Sequence, residues 1–383
     1  MLKVLSQRTL NRTFLERQGL LRPRKLRALA ALEQLVGLQA QAPFDPYLAL
    51  FNRLIGFDPN ELAQLLLERR AVRLSLMRST IHLVSADDCL TLRPVMQSVN
   101  ERNFLVGSPY GKKLKGIDLP RLLRAGRALL EQQPLTTSEL AVQLVEKFPE
   151  FDGESMAYAL RNYLPLIQVT PRGVWGKSGR SACTTARAWL DRELAEESAP
   201  DATLLRYLRA FGPASVLDVQ TWSGLTRLAP VLERLTPKLE LFQDEQGRTL
   251  YDVPGVPLVD AETPAPPRFM PEFDNALLSH ADRSRIIPPE PGGQGFLYRA
   301  AFLLDGFVAG SWKLERTKRQ ARLLIAPYHA PTKRDRGALL KEAERVLTFY
   351  APTAEHGIEL QLPSKPVTKA VPRARRTRAP VRR

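Results

Sequence analysis

Two glutamines that lie two positions apart, Gln39 and Gln41 in the run GLQAQAPFDP, are the residues whose type and spacing best suit chemistry. A glutamine amide is not basic and cannot act as a general base near pH 7, but its oxygen can accept a hydrogen bond from water and hold that water in place. In a helix the two side chains would point about 200° apart, whereas in an extended segment they fall on one face. An extended segment here would therefore allow both amides to contribute to one site.

Pro43 bears on the conformation of this segment, because the residue before a proline avoids the helical region. We therefore predict that the helix that begins near Lys25 ends around residues 38–41, so that both amides project from its end into the same space. The alternative interpretation is that the two side chains cap the helix end or solvate a turn. Both interpretations remain open at this point.

Other catalytic groups are sparse in the sequence. The four histidines, at positions 82, 280, 329 and 356, are scattered, and the chain has no CxxC or HExxH motif. The Gly-rich run PGGQGF at 291–296 lacks the spacing of a phosphate-binding loop and is typical of a hairpin loop. We therefore predict no metal site and no cofactor.

The cysteines and the apolar runs indicate where the protein works. Cys89 and Cys183 cannot form a disulfide framework for a chain of 383 residues, which favours a reducing compartment. The first residues lack the apolar core of a signal peptide, and no apolar run approaches the roughly 20 residues of a membrane span. The expected location is the cytoplasm, associated with the nucleoid, without a membrane partner.

The chain is strongly basic, since 56 Lys and Arg against 40 Asp and Glu give a net charge of +16. Residues 364–383 carry eight positive charges and no acidic residue, so the rest of the chain keeps a net charge of +8. This balance favours a polyanionic partner, for which we predict double-stranded DNA. The Pro-, Arg- and Lys-rich tail at 363–383 is predicted to be disordered.

The order of predicted elements, three helices followed by a β-ribbon, recurs in three successive parts of the chain. This is the order of a winged helix, whose third helix enters the DNA groove. The predicted fold class is α+β and mainly α. It comprises three tandem winged-helix (helix-turn-helix) units at 1–116, 117–195 and 196–256, a β-rich C-terminal domain at 257–362, and the tail at 363–383.

The second unit has the clearest local signals. Asp118 is a predicted N-cap for its first helix, Thr136 or Thr137 for its second, and the third is predicted in ESMAYALRNYL. Two short β runs around Pro171-Arg172-Gly173 indicate a hairpin.

The later part of the chain has signals of its own. The ribbon of the third unit is predicted to turn at Gln246-Gly247, and its acidic side chains argue against contact with phosphates. Residues 268–327 are predicted to be β, followed by a helix over about 332–350 capped near Thr332.

Four segments taken together resemble a known family. They are LQAQ at 38–41, RSTIHLVSADD at 78–88, PEFDNALLSHADRSR at 271–285 and DGFVAGSWKLER at 305–316. As a set they are similar to the winged-helix DNA glycosylases of the AlkZ/YcaQ family, over about residues 1–350. The resemblance implies three winged-helix motifs, a β-rich C-terminal domain and excision of N7-alkylated purines, with unhooking of interstrand crosslinks in some members. It also implies a Gln–aliphatic–Gln catalytic signature, which Gln39-Ala40-Gln41 matches in its AlkZ-like form.

This interpretation makes the chain a monofunctional DNA glycosylase of base excision repair. An N7-alkylguanine is cationic, so its glycosidic bond is weakened before the enzyme acts. Gln39 and Gln41 then need only hold water against C1′, while the DNA backbone stabilises the oxocarbenium-like centre. No lysine adjoins the segment to form a Schiff base.

The alternative function is a non-enzymatic winged-helix protein that binds DNA, such as a transcription regulator. Such regulators usually pair one winged helix with a dimerisation or ligand domain. Three units in tandem instead favour a monomer that curves around the duplex and has no obligate protein partner.

Six basic residues are candidate DNA contacts: His280, Arg283, Arg285, Arg78, His82 and Arg172. The first three lie in LLSHADRSR, where the alternative is an ordinary hairpin with Asp282 paired to an arginine. The other three lie in the predicted ribbons of the first and second units, where the alternative is a solvated surface charge.

Overall fold

The computed structural model describes residues 2–288 and 300–362. The predicted hairpin loop at 291–296 and the basic tail lie outside this part of the chain. The helices are α1 (Gln7–Arg17), α2 (Ala28–Gln34), α3 (Asp45–Arg53), α4 (Pro59–Leu67), α5 (Ala86–Val95), α6 (Gln97–Leu105), α7 (Tyr110–Lys113), α8 (Leu119–Gln132), α9 (Thr137–Val145), α10 (Gly153–Tyr163), α11 (Ala186–Leu190), α12 (Asp201–Phe211), α13 (Val216–Ser223), α14 (Ala229–Leu235), α15 (Asn275–Leu278) and α16 (Lys333–Tyr350).

The strands form three sheets, with orders β2-β4-β3-β5-β6, β1-β7-β8 and β13-β12-β11-β10-β9. Their bounds are β1 (Lys3–Leu5), β2 (Leu38–Gln39), β3 (Ala71–Ser75), β4 (Ile81–Ser85), β5 (Leu166–Gln168), β6 (Cys183–Thr185), β7 (Glu240–Asp244), β8 (Thr249–Asp252), β9 (Arg268–Phe269), β10 (Ala301–Leu304), β11 (Phe307–Arg316), β12 (Gln320–Pro327) and β13 (Glu355–Leu360). The fold is a mixture of α and β structure.

The ribbons predicted for the first two units share one sheet. β3 pairs with β4 on one side and with β5 on the other. The predicted hairpin around 171–173 is wrong, because β5 pairs with β6, which begins only at Cys183. The turn at Gln246-Gly247 is confirmed: β7 and β8 are antiparallel, and Gly247 has a φ of +76°. β1 adds to the same sheet parallel to β7.

The third helix of the second unit, α10, was expected to face DNA, and its apolar side packs into the core of that unit. Met156, Ala159 and Leu160 are fully buried in a cluster with apolar residues of α8 and α9. Gly126 of α8 permits this approach, because a Cβ there would lie 2.2 Å from a Leu160 methyl group. Its apolar face therefore makes α10 a core helix.

The C-terminal part was predicted correctly at its end and incorrectly at its start. α16 begins after Thr332, whose side chain accepts from the Asp335 amide, which confirms the predicted helix and cap. Residues 268–288 are mostly not β. Asp274 caps the short helix α15, and Asp282 caps a 3-10 turn at Arg283–Arg285. Aspartates that bond amides two residues ahead favour such turns over strands.

The start of the chain packs against parts that follow much later. Arg17 of α1 forms a buried ion pair with Asp252 of β8, with both amino nitrogens 2.7 Å from carboxylate oxygens. Phe14 joins Phe211 and Trp222 in the main apolar core. The first helix is therefore built into the core of the predicted third unit.

Candidate active site

The segment that carries the two glutamines leaves its helix earlier than predicted. α2 ends at Gln34, and Val36 and Gly37 then adopt left-handed conformations with φ of 55° and 85°. This reversal, rather than Pro43, turns the chain into the short strand β2. Gln39 therefore lies in a strand, which agrees with the extended conformation that the spacing required.

Gln39 is only 6% exposed and is held at both its backbone and its side chain. It pairs with His82 of β4. Its backbone N–H donates to Asn275 Oδ1 at 3.2 Å, and its Oε1 accepts from Arg78 Nη2 at 2.7 Å. Because Arg78 can only donate, this contact identifies the amide oxygen and turns the NH2 group away from the arginine.

Gln41 is exposed and follows the end of β2. Its Oε1 accepts from the backbone N–H of Ile81 at 3.4 Å. Between the two glutamines, the Ala40 N–H donates to Ile81 O at 2.8 Å, and Ala40 O accepts from Arg73 Nη2 at 2.7 Å. The Gln-Ala-Gln segment is thus fastened along the start of β4, and the side-chain contacts are not those of a helix cap.

The turn between β3 and β4 brings Arg78 to Gln39. Arg78 and Ser79 have φ of 56° and 57°, and the Thr80 N–H donates to Met77 O at 3.1 Å, which is the pattern of a type I′ hairpin turn. Arg78 Nη1 also donates to Trp222 O of α13. Burial, and then the neighbouring Arg283, lowers the pKa of Arg78 to about 10, so the side chain stays cationic at neutral pH.

His82 lies in the interior beside these residues, with no exposed surface. Burial, and then Arg78, lowers its pKa to about 3, so the imidazole is neutral at physiological pH. Its Nδ1 lies 3.0 Å from Thr80 O, a group that only accepts, so Nδ1 carries the proton. Nε2 is then a buried acceptor that has no hydrogen-bond partner among the described residues.

Two of the candidate DNA contacts near the C-terminal domain lie in the interior. His280 is 3% exposed and Arg285 is 7% exposed. Arg285 Nη1 lies 2.9 Å from His280 Nε2 and donates to Pro213 O at 2.8 Å. Burial, and then Arg285, lowers the pKa of His280 to about 3. Both side chains are therefore held inside the fold by contacts with other protein groups.

Arg283 and Arg172 are, like Arg78, partly exposed members of the candidate set. Arg283 lies close enough to Arg78 to lower its pKa. Arg172 Nη1 donates to Gly179 O at 3.2 Å within its own loop. Asp282 pairs with an arginine, as the alternative interpretation expected. That arginine is Arg248 of the β7–β8 turn, at 2.7 Å, rather than a hairpin neighbour.

Two residues that hold the segment were not singled out from the sequence. Arg73 is 2% exposed, and a charged side chain within the apolar run of β3 was the only signal for it. Its pKa is lowered to about 10 by burial and then by Arg172. Asn275 lies within the motif PEFDNALLSHADRSR, but nothing local indicates that its amide reaches Gln39.

The arrangement suits the orientation of water better than proton transfer. Each glutamine oxygen already accepts one N–H and keeps a second lone pair, while each NH2 group can donate. Among residues 2–288 and 300–362, no group of three His, Cys, Asp or Glu could hold a metal ion. The same residues include no helix long and apolar enough to cross a membrane.

Comparisons with known proteins identify the family of the chain. Residues 32–349 match the family model described as DNA glycosylase AlkZ-like, which confirms the resemblance seen in the four segments. No curated protein sequence matches the chain. The structure of DNA glycosylase AlkZ from Streptomyces sahachiroi is similar, with a TM-score of 0.76, 18% identity, and coverage of 94% of this chain and 100% of that one. That structural likeness shows a shared fold, while the family model extends over most of the sequence. The chain therefore belongs to the AlkZ-like family of DNA glycosylases, enzymes that hydrolyse the bond between a base and its deoxyribose.

Proposed function

We propose that this glycosylase excises N7-alkylated purines from double-stranded DNA, with Gln39 and Gln41 holding the attacking water. The observation that carries the proposal is the side-chain contact of Arg78 with Gln39, which fixes the amide in one orientation beside the exposed Gln41. Two oriented, non-ionising amides can place water against C1′ without taking its proton. Such a site suits a monofunctional hydrolysis in base excision repair.

The charge around the site sets the kind of lesion. An amide cannot deprotonate water, so the leaving base must already be activated, and a cationic N7-alkylpurine is. Arg78 and Arg283 are positive and cannot stabilise an oxocarbenium-like centre. The phosphates of the bound strand supply that stabilisation. The same chemistry extends to bulky N7 adducts and to crosslinks through N7.

Five of the six candidate contacts divide into two groups by exposure, and we assign the sixth, the partly exposed Arg78, to Gln39. Arg283 and Arg172 are partly exposed, and we assign them to phosphates of the duplex. His280, Arg285 and His82 are buried, and we assign the first two to support of the fold and His82, which pairs with Gln39, to support of the site. The protein acts as a monomer without an obligate protein partner. Membership of a glycosylase family favours this function over the alternative of a transcription regulator.

Alanine variants of the two glutamines test the proposal. With enzyme in excess over DNA that contains N7-methylguanine, Gln39→Ala and Gln41→Ala should each lower the rate of base release by about 100-fold, because the water loses its alignment. Gln34→Ala is the matched control, since Gln34 is an exposed glutamine at the end of α2. Wild-type rates in both site variants would contradict the proposed role of the glutamines. A wild-type enzyme that releases no N7-methylguanine would contradict the proposed substrate.

A further inference from the structure

The strand that carries Gln39 has an unusual neighbour on its free edge. β2 is the first strand of its sheet, so β4 covers only one of its sides. On the other side the Asn275 side chain makes two hydrogen bonds to the β2 backbone region. Oδ1 accepts from the Gln39 N–H at 3.2 Å, and Nδ2 donates to Gly37 O at 2.9 Å. One amide side chain therefore replaces the ladder contacts of a missing strand.

The residue before Asn275 holds the helix on the other side of the glutamines. Both carboxylate oxygens of Asp274 accept from Arg53, at 2.8 and 2.6 Å, and both side chains are buried. Arg53 is the last residue of α3, which begins shortly after Gln41. Two consecutive residues from the C-terminal region thus fasten the strand before the Gln-Ala-Gln segment and the helix after it.

We propose that Asn275 is a positioning residue for Gln39, an inference that rests on the function proposed above. Asn275 is 1% exposed, so it acts through the backbone of β2 and not on DNA. Its two bonds set where β2 lies relative to the β3–β4 turn, and hence whether the Gln39 amide meets Arg78. Displacement of a catalytic group by about 1 Å lowers a rate by about 100-fold, so even a small shift of β2 has a measurable effect.

The variant Asn275→Asp provides a test in which the pH controls the hydrogen bonds that residue 275 makes to β2. Asparagine and aspartic acid have the same shape, and a protonated carboxyl can donate to Gly37 O while it accepts from the Gln39 N–H. An ionised carboxylate can only accept, and it then repels Gly37 O. Burial and this repulsion raise the pKa of the new carboxyl, so protonation returns both bonds as the pH falls.

The measurement is the single-turnover rate of N7-methylguanine release between pH 5 and 8.5, expressed for the variant as a ratio to wild type at each pH. We expect a ratio of about 0.1 or lower at pH 8.5 that rises toward 1 at pH 5. Asn11→Asp is the matched control. Asn11 is also buried, and its amide donates to Arg285 O and Gly306 O without touching β2. Its ratio should stay near 1 throughout.

A ratio for Asn275→Asp that does not change with pH would overturn the proposal, as would an equal pH response in Asn11→Asp. A second variant, Asn275→Leu, tests the hydrogen bond from the Gln39 backbone N–H without measuring catalysis. In this variant the backbone N–H of Gln39 should exchange its hydrogen with solvent faster than in wild type. Unchanged exchange would also overturn the proposal. If wild-type enzyme releases no N7-methylguanine, the proposed function fails instead, and the exchange measurement still tests Asn275.

Discussion

At the scale of single residues, Arg78 has two roles to distinguish, the positioning of Gln39 and contact with a DNA phosphate. Its Nη2 donates to the Gln39 amide and its Nη1 to Trp222 O. The hairpin turn places Arg78 in a left-handed conformation that L residues rarely adopt. Strained conformations of this kind persist where the surrounding contacts hold them, and they are common at functional sites.

A double-mutant cycle separates positioning of Gln39 from contact with DNA. If Arg78 acts through Gln39, Arg78→Ala should lower the single-turnover rate in the wild-type background by about tenfold or more and add little in the Gln39→Ala background. Its effect on the salt dependence of DNA affinity should be small. If the two losses multiply and the slope of log K against log salt falls by about one unit, Arg78 contacts a phosphate instead.

The residues found from sequence and those missed differ in how far away their partners lie. Gln39 and Gln41 were singled out because side-chain type, spacing and a nearby proline are all local, and because the triplet matches the signature that the family resemblance implies. Asn275 was not, because its partner lies 236 positions away and only the tertiary fold joins them. His280 and Arg285 were candidate DNA contacts because the family resemblance suggested that their region faces DNA. Here the fold surrounds them with carbonyl acceptors from other elements.

At the scale of elements, the bend at Gly37 determines where β2 begins. Gly37 has a φ of +85°, and a Cβ there would lie 2.5 Å from a Val84 methyl group and 3.0 Å from Leu83 O. The sequence-based prediction placed the end of the helix around residues 38–41, before Pro43, and overlooked this glycine. The helix ends earlier because Val36 takes the left-handed conformation of a helix C-terminal cap and the Gly37 N–H donates to Leu32 O at 2.8 Å, whereas a proline only disfavours the helix at the residue before.

Alanine at Gly37 should therefore displace the strand that carries Gln39. Gly56→Ala is the matched control, since Gly56 has a φ of +67° and nothing within 4 Å of an added Cβ. Both variants lose about 1–2 kcal/mol from the left-handed backbone. Only Gly37→Ala should show a further fall in Tm and a loss of excision of about tenfold or more, measured by thermal unfolding and single-turnover assay. Equal behaviour of the two variants would show that the bend does not position β2.

At the scale of the whole molecule, the basic charge is unevenly distributed along the chain. Residues 364–383, which lie outside the described part, contribute eight of the charges that make the net charge +16. Positive charges near DNA release counterions, so their contribution to affinity falls as salt rises. Every residue assigned to the active site lies in the described remainder, which keeps a net charge of +8.

Deletion of 364–383 should weaken DNA binding chiefly at low salt and leave excision intact at saturating enzyme. Affinity measured across a salt series should show a shallower slope for the shortened chain. A full-length control with glutamine at the eight basic positions should behave like the deletion, because charge and not chain length is responsible. Loss of excision at saturating enzyme in the deletion alone would point to a structural role of the tail.

The overall architecture was only partly predictable from the sequence. Repeated helix–ribbon signals indicated the elements, but β3 and β5 join two predicted units in one sheet, and α1 packs against elements of a third. Local periodicity reports which face of an element is apolar and not which element will cover it. The apolar face of α10, for example, is clear from the sequence, whereas its packing against α8 and α9 is seen only in the structure.

The bond between Asn275 and the β2 backbone also has a consequence for synthesis of the protein. A ribosome makes both glutamines within the first 41 residues, yet the side chain that closes the edge of their strand is added only at residue 275. A nascent or truncated chain that stops before that point carries the two proposed catalytic glutamines without this support. We therefore expect excision competence to appear only after synthesis has passed Asn275.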